Sequence, residues 1–182
     1  MTDLTFAAAQ ADMRRGYLNG APGVLVSGLV WLVAGVVAIT GSDTAAVLAL
    51  LAGGALIHPL SVLLTKSLGR TGAHTSGNPL GRLAGETTVV LVIGLVIAFA
   101  VSSVRAEWFF PTVLLIIGGR YLVFQTVYGL RAYWTVGAAL GLTGFVLGYL
   151  GVPVSVGAFA GAIIELVAGP TIWVQGQRSG AA

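Results

Sequence analysis

The chain has 182 residues, 57% hydrophobic and 8% charged, against roughly 25% charged in a soluble domain. Too little polar surface remains to cover a globule in water, so the solvent implied is lipid. The net charge of +3 comes without a basic groove or interleaved stacking aromatics, which argues against nucleic acid as a partner, and the absence of cysteine excludes disulfides, thiolate metal sites and cysteine nucleophiles.

Residues 1–21 read as a short amphipathic or irregular cytoplasmic segment. Met13-Arg14-Arg15-Gly16-Tyr17-Leu18 resembles a twin-arginine export signal. No small-residue cleavage site closes the apolar run behind it and five more runs follow, so the arginine pair reads as an orientation signal. Six apolar runs of helical length then cover about 22–40, 44–64, 87–103, 111–130, 132–150 and 153–174. Each approaches the ~20 residues that cross a hydrocarbon core of ~30 Å. Only helices satisfy their own backbone over such lengths, and strand alternation is missing. Pro22, Pro111 and Pro153 sit at first turns, where a missing N–H costs nothing. The expected fold is an all-α membrane protein, a compact bundle of six transmembrane helices, with residues 176–182 as a cytoplasmic tail.

Charge orients it. Arg14, Arg15, Lys66, Arg70, Arg82, Arg131 and Arg178 fall on one side, Arg105 on the other, and Arg120 inside span 4. Positive residues stay in the cytoplasm, so both termini are expected there, in a prokaryotic-type inner membrane. Trp108, Phe109, Phe110 and Tyr149 mark the outer interface, and Tyr133, Trp134 and Trp173 the inner one. The connection Thr65–Glu86 is the long loop, rich in turn residues, read as a flexible positive linker in preference to a gate. Glu86 and Arg82, one turn apart, read as a surface pair.

Lipid tails are as apolar as leucine, so helices meet in lipid through small residues. Gly137, Gly141, Gly144, Gly148 and Gly151 recur at spacings of four and three along span 5. They form a seam for a central packing helix or a contact with another copy. Gly157, Gly161 and Gly169 repeat the device in span 6, on the face that also carries Glu165.

His58, Arg120 and Glu165 are the ionisable residues inside spans. At ~1.5 Å per residue from the outer boundary they lie ~21, ~14 and ~18 Å deep, near the middle of the core. A charge there costs ~2.5–3.5 kcal/mol even on the lenient insertion scale. Arg120 cannot shed its proton, and the carboxylate at its depth is Glu165, so an Arg120–Glu165 ion pair between spans 4 and 6 is expected. His58 precedes Pro59, which frees the carbonyl of Ala55 and kinks span 2; Gly54 on the same face reads as a close-packing position. Gly169-Pro170 does the same to the carbonyl of Leu166. Tyr121, Gln125 and Tyr128 form a polar stripe that extends the pocket inward. Gly54-Ala55-Leu56-Ile57-His58 echoes Gly161-Ala162-Ile163-Ile164-Glu165, a match too short to establish a repeat.

No phosphate-cradling loop, metal-spaced cluster, nucleophile elbow or intramembrane lysine is present in the sequence, so no cofactor is called for and an enzyme is not expected. Arg-Arg-Gly-Tyr near the start, His58-Pro59, Asn78-Pro79-Leu80 and Trp108-Phe109-Phe110-Pro111 with Gly-Gly-Arg-Tyr resemble small bacterial multi-pass proteins of uncharacterised function. That resemblance covers most of the chain and implies no activity. The leading expectation is a small-solute or ion permease with a polar pocket of His58, Arg120 and Glu165. A scaffold or homo-oligomer packing through the span 5 seam is second, and an intramembrane enzyme third.

Overall fold

The computed structural model describes residues 4–179. These form seven α-helices and, among the described residues, no strand. The helices are α1 (Phe6–Tyr17), α2 (Ala21–Thr40), α3 (Asp43–Ser67), α4 (Pro79–Ser102), α5 (Phe109–Tyr128), α6 (Ala132–Leu150) and α7 (Val154–Ser179). From α2 onward, six are long and apolar enough to cross a membrane. The protein is an integral membrane protein of six such helices. Their outer faces are apolar: Ile39, Leu63, Val90 and Val96 are each more than half exposed, as lipid-facing side chains should be.

Local chemistry sets the helix ends. Ser42 Oγ accepts from the Ala45 amide at 3.2 Å and starts α3. Asn78 Oδ1 accepts from Leu80 N at 3.0 Å, with Pro79 at the first helical position, and starts α4. α4 therefore begins eight residues before the expected 87, and the expected Thr65–Glu86 loop contracts to 68–78. The polar run Gly81–Glu86 had masked a helix whose first two turns lie beyond the apolar stretch. Arg82 and Glu86 are exposed and form no ion pair. α5 and α6 end on Gly129 (φ 67°) and Gly151 (φ 60°), left-handed positions that favour glycine. α7 runs past 176 to Ser179, so the expected tail continues the helix; the Arg178 side chain lies outside the described ones.

α7 joins two groups. On one side it packs on α2, which in turn carries α3; on the other it meets α5 and α6, and α5 carries α4. α3 and α4 are peripheral. The buried residues of α3 are Ala46, Val47, Leu50 and Thr65, and those of α4 are Leu80, Gly94 and Ala98. The core follows α2, α5, α6 and α7, with Trp31, Phe109, Phe110, Tyr133, Leu140 and Ile172 nearly or wholly buried.

Close approaches occur at glycine. A Cβ at Gly144 would stand 2.6 Å from the Pro111 carbonyl oxygen, and one at Gly137 2.8 Å from that of Gly118. A Cβ at Gly118 would stand 2.8 Å from the Gly141 nitrogen. The face of α6 bearing these residues is thus turned to α5 of the same chain. Gly148 sits looser, 3.3 Å from Pro111, and Gly151 closes the helix with nothing near it. On α7, Gly157 abuts Phe110, Gly161 abuts Trp31 and Gly169 abuts Leu25. Gly54 differs from its expected role, for nothing lies within 4 Å of its Cβ position.

α1 docks on the end of the bundle where α5 ends and α3 turns into α4. Leu18 (φ 49°), Asn19 (φ 62°) and Gly20 (φ 80°) break the chain between α1 and α2. A side chain at Gly20 would strike the Tyr133 hydroxyl. Arg14 Nη1 donates to the Tyr128 carbonyl at 2.7 Å and Gln10 Nε2 to that of Thr126 at 2.8 Å. These are last-turn carbonyls of α5, which lack intrahelical donors. Asp12 accepts from the Thr75 amide and hydroxyl, both at 2.9 Å, and from Asn78 Nδ2 at 2.8 Å. Tyr17 Oη and His74 Nδ1 lie 2.9 Å apart. The segment that sequence left as amphipathic or irregular is a helix tied to the 68–78 loop. Partial burial pushes Asp12 upward, but the hydrogen bonds from Asn78 and Thr75, with Arg15 nearby, outweigh it and hold the carboxyl below its usual value.

Candidate functional site at Glu165

Glu165 is the twelfth residue of α7 and fully buried. Its face is fixed by the small residues one and two turns away: Gly161 lets Trp31 of α2 approach and Gly169 admits Leu25. On the other side α5 presents Tyr121, whose hydroxyl donates to Glu165 Oε1 at 2.9 Å. Glu165 Oε2 is buried with no hydrogen-bond partner. Ser27 of α2, also buried, is a second polar neighbour of the carboxyl. A carboxyl group deep in a membrane helix bundle thus has one oxygen held and one unanswered.

Tyr121 belongs to a cluster of rings. It lies 5.8 Å from both Phe124 and Tyr133, and Tyr133 stacks on Tyr128 at 5.3 Å. The Tyr133 hydroxyl donates to the Asn19 carbonyl at 2.6 Å, joining the cluster to the α1–α2 break. Of the expected polar stripe, Tyr121 and Tyr128 are buried in packed rings rather than along a cavity, and Gln125 is half-buried beside them.

Two expected members of the pocket are elsewhere. Arg120 forms no ion pair with Glu165. Successive helical residues point ~100° apart, so with Tyr121 aimed at α7, Arg120 turns to α4. There its Nη2 donates to Thr88 Oγ1 at 2.9 Å and its guanidinium lies 4.9 Å over the Phe124 ring. His58 is exposed on the outer face of α3, away from both. Helical phase decides this too, because α3 turns Ala46, Val47 and Leu50 inward. The matching depths of the three residues were a projection onto one axis that carried no azimuth. The role of Tyr121 as the carboxyl's donor was the signal to find, since it adjoins Arg120 and could satisfy Glu165 without a second charge.

Glu165 lines neither of two grooves on the lateral surface. One of about 600 Å³ lies between α2 and α3, lined by Val26, Val30, Gly53, Leu60 and Leu64 among others. A smaller one of about 270 Å³ lies between the ends of α5 and α6 beside Trp108 and Tyr149. Among the described residues no His, Asp and Glu cluster could hold a metal ion.

Residues 6–175 match the model of a family of unknown function, DUF7010. The chain belongs to the DUF7010 family. Neither a curated protein nor a solved structure matches it. In this DUF7010 chain the match spans α1 and all six membrane-length helices, so the docked α1 is inside the family unit and is not an appendage to it.

Proposed function

We propose that the protein is a small-solute or ion permease coupled to protons, with Glu165 as the proton-carrying group. The observation that carries this reading is the fully buried carboxyl with Oε1 held by Tyr121 and Oε2 unanswered. An ionisable group inside a membrane bundle is costly and marks a path or a relay more often than a fold device. A single donor cannot offset a buried negative charge, whereas uptake of a proton removes that charge and release restores it. Tyr121 orients the group, and Ser27 and the Tyr128–Tyr133 stack lead toward the α1 end. Pro170, five residues on, removes one helical hydrogen bond and supplies a bend about which α7 moves to open the site. The side bearing α1 and the 68–78 loop is cytoplasmic in this reading, because Arg14, Arg15, Lys66, Arg70 and Arg82 gather there.

The test uses purified protein in proteoliposomes loaded with a pH-sensitive dye. Na+, K+, chloride, phosphate and an amino-acid mixture are supplied in turn under an imposed pH gradient. Solute-dependent proton movement that disappears in Glu165→Gln, with the protein still folded, supports the permease. Movement unaltered in Glu165→Gln removes Glu165 from the mechanism. The scaffold alternative is weakened by α5 covering Gly137 and Gly144 within the chain.

A further inference from the structure

Arg120 is a cation inside the membrane span that forms no ion pair among the described residues. Its Nη2 is taken by Thr88, its Nε is buried with no partner, and its Nη1 makes no hydrogen bond within the described residues. The side chain is half-buried on the face where α5 meets α4. Gly85, one turn before Thr88, and Gly119, beside Arg120, are exposed, with nothing within 4 Å of a Cβ at either. Eight residues separate Arg120 from Tyr128, the end of α5, which is ~12 Å of helix. The guanidinium lies over Phe124, one turn nearer that end. Snorkelling arginines of this kind carry the charge toward the headgroup layer. The acidic or phenolic groups whose charge bears on Arg120 are Tyr121, Tyr128 and Glu165, none forming an ion pair with it.

We infer that the α4–α5 face at Arg120 binds the phosphate of an anionic phospholipid from the leaflet on the α1 side. Arg120 donates to the phosphate oxygens, Thr88 fixes the guanidinium, and Gly85 leaves room for the headgroup to descend. Arginine suits this task because its planar fork of donors matches phosphate and it keeps its charge at any accessible pH. The site faces away from Glu165 and does not rest on the permease reading.

The experiment is native mass spectrometry of the detergent-purified full chain with added phosphatidylglycerol or phosphatidylcholine. Wild type is expected to retain phosphatidylglycerol at least about tenfold more strongly than phosphatidylcholine, and Arg120→Gln to lose that preference. Thr88→Val keeps the charge and serves if Arg120→Gln does not fold; it is expected to weaken the preference by about threefold. Equal retention of the two lipids by wild type, or a preference unchanged in the variant that folds, overturns the inference. Displacement of the lipid by millimolar inorganic phosphate assigns the site to a soluble anion and overturns the lipid source. A dimer that dissociates with Arg120→Gln while lipid retention stays constant assigns this face to a second copy and overturns it too.

Discussion

Removing the Tyr121 hydroxyl tests the carboxyl site quantitatively. Tyr121 is 5% exposed and Glu165 0%, and one 2.9 Å hydrogen bond joins them. In Tyr121→Phe the carboxyl loses its 2.9 Å hydrogen bond and keeps only Ser27 as a polar neighbour, at a cost of about 1–3 kcal/mol. In Glu165→Leu the Tyr121 hydroxyl is stranded instead, at about 1–3 kcal/mol. The double variant removes donor and acceptor together, so its loss should fall short of the summed single losses by about 1–3 kcal/mol. The parallel cycle of Arg120→Gln with Glu165→Leu should show a smaller coupling than the first, because the two groups form no ion pair and interact only at a distance. Both cycles are read by reversible unfolding in mixed micelles at increasing dodecyl sulfate. Additivity in the first cycle with strong coupling in the second would refute the reasoning, since it would mean that the charges pair and the phenol is a bystander.

Other consequences follow from packing and charge. Gly144→Val should destabilise by about 1–3 kcal/mol, its Cβ driven toward a backbone oxygen that cannot yield, whereas Gly54→Ala, with open space and a helical backbone, should be neutral or stabilising by up to about 1 kcal/mol; thermal unfolding of the two variants separates them. His58→Leu should leave stability and any flux unchanged, because the ring faces outward; a lost flux would return His58 to the site. Asp12 has a lowered folded value, so the stabilisation it gives the α1 dock is complete above the ordinary carboxylate value of 3.8 and is lost as pH falls through the lower folded one. The protection factor of the Thr75 amide, which donates to Asp12, should hold from neutrality to about pH 4 and drop below, and Asp12→Asn should abolish that step; a drop near neutrality would contradict it.

Much of the bundle was legible because lipid imposes simple rules. Uninterrupted apolar runs of helical length located six helices, although Gly129 falls inside an expected span and Gly151 in the expected seam, and both are left-handed helix ends. The start of α4 was not legible. Its first turns carry Arg82, Gly85 and Glu86, and the decisive signal was the Asn78-Pro79 cap rather than hydropathy. The site was legible in part. Glu165 shares its face with Gly161 and Gly169, and that pattern pointed inward correctly. Its partner was misread because depth was matched without azimuth. Arg120 and Tyr121 are neighbours in sequence, and the one-residue rotation between them decides which side chain meets α7 and which meets α4. The α1 dock was hidden for another reason: Asp12, Tyr17 and Gln10 find partners in Thr75, His74 and the end of α5, distant in sequence and without a spacing rule.

The account stands on Glu165 exchanging a proton while buried in the bundle. Infrared difference spectroscopy of the reconstituted protein, recorded as an imposed pH gradient is switched on and off, observes that exchange at the group itself. A deuterium-sensitive carboxyl band should appear in wild type, move in Tyr121→Phe and vanish in Glu165→Gln. A difference spectrum in which Glu165→Gln leaves every carboxyl band in place would contradict it.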